Sequence, residues 1–272
     1  MRITLAIVLL SIVVAAVGQP AAAQTGETVD HSALRVCADA NNLPFSNDKG
    51  EGFENKIAEL LAKDLGVPVR YTYFPDTVGF IRNTLGARKC DLIIGTAAGN
   101  ELVQNTNPYY RSTYAFIYRA DVHPVTSIDD PVLQSAAIGI IAGTPPATLL
   151  MQKGLLTHVR SYQLLVDTRF NAPGHDLVHD VATGAIDVGI LWGPIAGYYA
   201  KQETPPLVVT PLPAQQGPLP LDFRITMGMR PNEPEWKRTI NDLIRKKQAE
   251  IDQILLSYGV PLLDEKGQPI TP

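Results

Sequence analysis

The chain has 272 residues and a formal net charge of −4, from 23 basic and 27 acidic side chains. Charged residues make up only 18% of the chain and form no basic stripe, which excludes a nucleic-acid-binding protein on electrostatic grounds. Hydrophobic residues make up 45%, as in an ordinary globular protein, and this length permits one or two domains with a large core.

The N-terminal segment 1–23 has the pattern of a secretory signal peptide. Arg2 supplies a minimal positive region, an apolar run follows from Ile3 to Val17, and small residues at 21–23 precede Gln24. The apolar run of about 15 residues is short for a membrane-spanning helix, which needs about 20. We therefore expect cleavage before Gln24, export to the periplasm and no membrane insertion of the mature chain. An uncleaved anchor is the alternative.

A strand, a long polar loop and an amphipathic helix follow one another between Leu34 and Leu65. Leu34 begins a short buried strand, and residues 38–52 form a turn-rich loop. From Phe53 onwards, apolar residues at i, i+4, i+7, i+8 and i+12 predict a helix with one buried face. The loop is longer than the connections of about 2–6 residues that are usual in compact α/β units. Because ligands bind beyond the carboxyl ends of strands in such sheets, this loop is a predicted binding segment.

The rest of the chain alternates strands and helices. Strands are predicted at 69–74, 91–96, 109–118, 137–141, 159–162, 187–191 and 207–210. Helices are predicted at 76–85, from Pro145, at 176–183, from Pro194, and along an apolar stripe from Trp236 to Leu255. A segment rich in proline and aspartate, 121–131, lies between two halves of similar α/β pattern and is typical of a boundary.

The two cysteines, Cys37 and Cys90, leave two outcomes open. An oxidising compartment permits them to pair, and the sequence favours a bond. An offset between parallel strands would instead hold their Cα atoms beyond the distance of about 7 Å that a disulfide allows. His175 and His179 lie four residues apart, which is a metal-ligand spacing, but no third ligand is identifiable and no metal site is predicted.

Several stretches, taken together, resemble the type II periplasmic solute-binding proteins over essentially the whole mature chain. They are residues 44–45 with 52–54, 89–95, 108–110, 138–144 and 186–188. The resemblance implies an α/β fold of two lobes with mixed, mostly parallel sheets, joined by two crossover strands around a ligand cleft. It implies a signal peptide at 1–23, lobe 1 at 24–120 and 221–272, and lobe 2 at 121–220 with a proline-rich return segment.

Finer matches resemble the branch of that family that is associated with quinoprotein dehydrogenases. They are residues 36–47, 79–85, 192–198 and 223–228. The resemblance implies a non-enzymatic accessory protein, with no cofactor of its own, that contacts a periplasmic methanol or alcohol dehydrogenase dependent on pyrroloquinoline quinone (PQQ). Two alternatives stay open. One is a receptor that delivers a small non-amino-acid solute to an ABC permease, and the other is an enzyme similar to cyclohexadienyl dehydratase.

Departures from the family pattern argue against an amino-acid ligand. Amino-acid-binding members carry an arginine for the ligand's carboxylate a few residues after the strand equivalent to 92–95, and here Leu102 takes that position. They carry an acidic residue for the amino group at the end of a strand in the second lobe, and here Trp192 takes that position. A zwitterion buried without these partners would lose several kcal/mol.

The residues predicted to line a ligand or partner cleft come from both predicted lobes. They are Asp39, Asn41, Asn42, Pro44, Phe45, Arg82, Thr96, Arg111, Thr144 and Trp192. Asp39, Arg82 and Arg111 are candidates for binding an anionic or hydroxylated ligand, and structural ion pairs are the equal alternative. Exposed aromatic side chains would either stack on a ligand or anchor a protein partner.

Overall fold

The structure is a computed structural model that describes residues 28–213, 215–216 and 219–270. The predicted signal peptide lies outside these residues. Within the described part of the chain, no helix is long and apolar enough to cross a membrane.

Strands and helices alternate along most of the chain. The strands are β1 Leu34–Ala38, β2 Asn41–Asn42, β3 Ser46–Asn47, β4 Val69–Tyr73, β5 Leu92–Ala97, β6 Gln104–Asn105, β7 Tyr110–Tyr118, β8 Ile138–Ile141, β9 Val159–Tyr162, β10 Val188–Trp192, β11 Val208–Pro211, β12 Gln215–Gln216, β13 Leu219–Pro220 and β14 Asp222–Met229. The helices are α1 Phe53–Leu65, α2 Phe80–Asn83, α3 Pro145–Gln152, α4 Pro173–Ala182, α5 Gly193–Ala200 and α6 Pro234–Ser257.

Ten strands form one continuous mixed sheet. Eight of them follow the order β4-β1-β5-β14-β7-β10-β8-β9, while β6 pairs with β14 and β11 pairs with β7. β1 pairs parallel with β4 and β5, and β8 pairs parallel with β9 and β10. β7 connects the two parallel groups, because its residues 110–113 pair antiparallel with β14 and its residues 114–118 pair antiparallel with β10. The carboxyl ends of β1 and β5 therefore face the region where the chain crosses between the groups.

Separate hydrophobic cores lie on the two sides of this crossing. In the first, the apolar faces of α1 and α6 pack on β1, β5 and β14. In the second, α3 packs near β7, β8 and β10, while α4 and α5 cover another face of the same strands. The lobe division at 24–120 with 221–272 against 121–220 stays a prediction, and β7 supplies side chains to both cores.

Close backbone packing holds the two halves together on the side of α5. A Cβ atom at Gly197 would collide with the carbonyl of Gly259, and one at Gly193 would collide with the carbonyl of Thr113. Glycine is therefore needed at both positions of α5 for the helix to approach the chain that follows α6. Lys201 adds a hydrogen bond of 2.8 Å to the carbonyl of Ser257 across the same contact.

One predicted helix and one central strand differ most from the sequence-based expectation, besides the two-residue strands, which were not predicted. The helix predicted at 76–85 contracts to Phe80–Asn83, because Gly79 has a φ of +94° and cannot belong to a right-handed helix. The central strand β14 was not predicted. Its apolar residues alternate at Phe223, Ile225, Met227 and Met229, the period of a strand, and this pattern is the signal that would have found it.

Candidate functional site

A cavity of about 540 Å³ lies beyond the carboxyl ends of β1 and β5. Its walls come from these strands, from the loop that follows each of them, and from the N-terminal turns of α1 and α2. Leu165 and Trp192 close it from the side of the second core. This position is where open parallel sheets bind ligands, and the volume suits a small molecule.

The cavity brings together more than half of the predicted cleft residues. Those that line it are Asp39, Asn42, Phe45, Arg82, Thr96 and Trp192. Those that lie outside its lining are Asn41, Pro44, Arg111 and Thr144.

The residues outside the lining have structural contacts. The Arg111 guanidinium pairs with the carboxylate of Asp222 and donates to the carbonyl of Glu265 at 3.0 Å, so it ties β7 to β14 and the C-terminal segment. The Thr144 hydroxyl donates to the carbonyl of Ile141 at 2.7 Å, immediately before α3. Of the two alternatives predicted for Arg111, the structural ion pair is the one observed.

Asp39 links the two halves across one edge of the cavity. Its carboxylate accepts hydrogen bonds from the backbone N–H of Asn41 at 2.9 Å, the backbone N–H of Asp76 at 2.7 Å and the hydroxyl of Thr168 at 2.7 Å. The Asn41 side chain donates to the carbonyl of Thr168 at 2.5 Å. Since Asp39 is only 3% exposed and already accepts three hydrogen bonds, its carboxylate holds the two halves together.

Trp192 is held at the crossing strands by two aromatic neighbours. Its ring lies edge-on to Tyr114 at 5.4 Å and to Phe223 at 5.9 Å between ring centroids. Phe45, which also lines the cavity, packs edge-on against the buried ring of Phe53 at 5.3 Å between ring centroids. These contacts fix the orientation of two aromatic rings that line the cavity, and rigid aromatic surfaces are typical of binding sites.

A disulfide between Cys37 and Cys90 lies beneath the cavity. The two Cα atoms are 5.4 Å apart, and both side chains are buried. Cys37 is near the end of β1 and also lines the cavity, whereas Cys90 lies in the turn before β5. The bond therefore fixes the end of β1 from which Asp39 extends.

A carboxyl group that was not predicted from the sequence also lines the cavity. Glu54 lies in the first turn of α1, and its carboxyl rests on the backbone of Gly95, where any Cβ atom would collide with it. Burial raises the pKa of Glu54 to about 8, and the nearby carboxylate of Asp76 contributes to the shift. Glu54 is therefore mainly neutral at pH 7. Its position directly after Gly52 and Phe53 was part of a family match, but only the fold shows that it faces the cavity.

Three side chains in the lining of the cavity are apolar and mostly exposed. Val78 is 79% exposed, Leu102 is 71% exposed and Leu165 is 61% exposed, and all three line the cavity. We call these three residues the apolar rim. His175 and His179 lie elsewhere, on α4, and the described residues hold no group of three or more side chains suited to a metal ion.

Proteinogenic amino acids are expected to bind this cavity with dissociation constants weaker than about 1 mM. Their carboxylate would meet the apolar side chain of Leu102 and their amino group the indole of Trp192, so neither position supplies the opposite charge. Thermal-shift measurements with each amino acid at millimolar concentration check this. A micromolar ligand would then stabilise the protein by about 4 kcal/mol, a visible rise in melting temperature that would contradict the prediction.

Several known proteins are similar to this chain in sequence or in structure. A model of the bacterial extracellular solute-binding proteins, family 3, matches residues 34–260. The chain is 32% identical to Protein MoxJ of Methylorubrum extorquens over 250 residues, which cover 86% of this chain and 83% of that protein. The solved periplasmic binding protein XoxJ from Methylobacterium extorquens AM1 is 44% identical, with a TM-score of 0.73 over 85% of this chain and 100% of the other.

A second solved structure, MxaJ from Methlophaga aminisulfidivorans MPT, is 26% identical, with a TM-score of 0.72 over 85% of this chain and 100% of the other. The two structural matches confirm the type II periplasmic binding fold predicted from the sequence. They also confirm the resemblance to periplasmic solute-binding proteins, from which the two-lobed architecture was predicted.

Proposed function

This chain belongs to the bacterial extracellular solute-binding proteins, family 3, and on that premise we propose that it is a periplasmic accessory protein for a quinoprotein dehydrogenase. Its similarity to MoxJ and XoxJ, together with the stretches at 36–47 and 192–198, supports this role. The partner is a PQQ-dependent methanol or alcohol dehydrogenase, which this protein contacts during maturation or activation. The role requires no reaction catalysed by this chain and no cofactor bound to it.

The apolar rim is the observation that carries the proposal. Large apolar side chains that are mostly exposed and grouped around one opening mark interaction surfaces in soluble proteins. Leu165 belongs to a loop in which Leu164 and Phe170 are also exposed, so the apolar surface extends beyond the cavity. A protein partner that covers this surface would remove it from water and find fixed aromatic anchors at its centre.

The two alternative functions, a transport receptor and a dehydratase-like enzyme, each require features that the accessory role does not. A transport receptor needs a permease and an ATPase encoded nearby, and a solute that stabilises the purified protein. A dehydratase-like enzyme needs a positioned general acid, and Glu54 and Asp76 are the carboxyl groups in the cavity lining whose pKa values burial raises. The accessory role differs from both in requiring a loss of dehydrogenase activity when this gene is removed.

Deletion of the gene is expected to lower dehydrogenase activity in periplasmic extracts while the transcript of the dehydrogenase gene stays unchanged. Complementation with the Leu102→Asp/Leu165→Asp double variant should give a dehydrogenase activity about tenfold or more below that obtained with the wild-type gene. The reason is that each introduced charge opposes burial of the apolar rim. Trp192→Ala should restore an intermediate level without a loss of secondary structure.

Met151→Asp/Leu156→Asp is the matched control, since both residues are exposed, apolar and outside the cavity. It should complement like the wild type. A deletion strain with fully active, PQQ-loaded dehydrogenase would refute the accessory role and favour the transport alternative. Full complementation by the rim variant would instead place the contact elsewhere on the surface.

A further inference from the structure

The Glu54 carboxyl lies in the wall of the cavity, is partly exposed there, and has no partner in the described part of the protein. Among the residues that the structure describes, no hydrogen-bond donor and no cation pairs with it. Partial burial removes some of the hydrogen bonds that such a carboxyl makes with water, and no group of the protein replaces them. The absence of a side chain at Gly95 gives the carboxyl its place in the wall of the cavity. The arrangement therefore indicates a group kept for a ligand.

The surroundings of Glu54 favour a positive charge. A second carboxylate, Asp76, lines the same cavity, and it is exposed. The rings of Phe45, Tyr110 and Trp192 also line the cavity, and aromatic faces attract cations. Carboxyl oxygens and aromatic rings together form the kind of site that takes an ammonium group attached to an apolar body.

The lining also opposes an anionic group on the ligand. Asp76 would repel a carboxylate on the ligand, and so would Glu54 once it ionises to pair with an ammonium group. The exposed guanidinium of Arg82 is the one cation in the cavity lining. An ion pair between this exposed guanidinium and a ligand carboxylate would contribute little to binding, because water and salt screen it. The cavity therefore discriminates between an amine and the amino acid that carries the same side chain.

We propose that the cavity binds a small organic amine, whose ammonium group pairs with Glu54 and whose apolar body packs between Phe45 and Trp192. This site does not depend on the contact with a dehydrogenase. A cavity of about 540 Å³ accommodates a molecule of the size of a phenylalkylamine.

Proton release accompanies binding if the ammonium pairs with an ionised Glu54. Burial raises the pKa of the free carboxyl to about 8, so it is mostly protonated at pH 7 and pairing displaces most of a proton. The other titratable groups that interact with it are Asp76 and the phenols of Tyr71, Tyr109 and Tyr110. Burial raises the pKa of all three phenols above 10, so they stay neutral between pH 6 and pH 8.

The affinity is expected to weaken as the pH falls. Below a pKa of about 8, each unit of pH lowers the ionised fraction of Glu54 about tenfold, and the dissociation constant rises by nearly the same factor. The amine itself stays protonated over this range, since alkylammonium groups have pKa values near that of lysine. Binding at pH 6 should therefore be about tenfold weaker than at pH 7.

Isothermal titration calorimetry of the mature protein with 2-phenylethylamine tests the proposal. Titrations at pH 6, 7 and 8, in buffers with different ionisation enthalpies, yield both the dissociation constant and the number of protons released. We expect saturable binding of the amine, at least tenfold weaker binding of the neutral analogue 2-phenylethanol, and no detectable binding of phenylalanine.

Glu54→Gln should weaken amine binding at least tenfold and abolish the proton release, while its melting temperature shows that the protein stays folded. Glu59→Gln is the matched control, since Glu59 lies on the same helix outside the cavity and should bind the amine like the wild type. No binding of the amine, equal binding by Glu54→Gln, or binding without proton release would each overturn the proposal. None of these results would alter the outcome of the gene deletion, which tests the accessory role separately.

Discussion

Replacement of Asp91 by alanine is expected to lower the free energy of unfolding by about 3–5 kcal/mol, the cost of removing one partner from a buried ion pair. Asp91 is 1% exposed and accepts hydrogen bonds from Arg35 at 2.7 Å and from Arg230 at 2.5 Å. Arg230 is itself buried and also pairs with Glu233 at 2.8 Å. Without Asp91, the cluster retains two arginines but loses the carboxylate that lies between them.

The loss of stability caused by Asp91→Ala should become smaller at low pH. Burial alone would raise the pKa of Asp91, but the hydrogen bonds from Arg35 and Arg230 hold it below the usual value of 3.8. A carboxyl whose pKa is lowered by folding contributes stability that is fully present above its unfolded pKa and is lost as the pH falls through its folded pKa. The difference between wild type and variant should therefore stay constant from pH 7 to pH 5 and shrink below about pH 4.

Urea denaturation followed by circular dichroism measures this difference. Asp242→Ala is a suitable control, because Asp242 pairs with Arg245 on the exposed face of α6 and its removal should change the stability by less than about 0.5 kcal/mol. A loss of under about 1 kcal/mol in Asp91→Ala would show that the cluster does not stabilise the fold as we infer.

Removal of the disulfide is expected to cost about 4 kcal/mol, the second largest effect. Cys37 and Cys90 are separated by 53 residues, and loop-closure entropy for a loop of this length gives that magnitude. For a chain of this size, such a loss lowers the melting temperature by roughly 10 °C. Calorimetry of the Cys37→Ala/Cys90→Ala double variant measures it. The wild type under oxidising and reducing conditions is the control, and an unchanged melting temperature in the variant would contradict the prediction.

The sequence predicted those parts of the fold whose signals are local. The helix from Phe53 to Leu65 has the expected bounds, because its apolar face is regular and Gly66 ends it with a φ of +71°. The helix that begins at Pro145 and the strand at 159–162 are also as predicted. In each of these cases the residues that decide the structure lie within one element.

The parts that the sequence did not predict depend on contacts between distant residues. Asp39 was predicted to line the cleft, but its hydrogen bond to Thr168 joins residues 129 positions apart. The carboxyl of Glu54, on α1, has room in the cavity wall because Gly95, on β5, has no side chain. No spacing within one segment reveals such pairs, since they arise from the packing of the sheet.

The two tryptophans of the chain have opposite surroundings, and this difference has an optical consequence. Trp236 is 3% exposed and donates to the carbonyl of Asp91 at 3.2 Å, so the first core shields its indole from small solutes. Trp192 lines the cavity, edge-on to Tyr114 and Phe223. Fluorescence that a soluble quencher reduces therefore comes from Trp192, and the unmodified protein carries its own reporter of whether the cavity is filled.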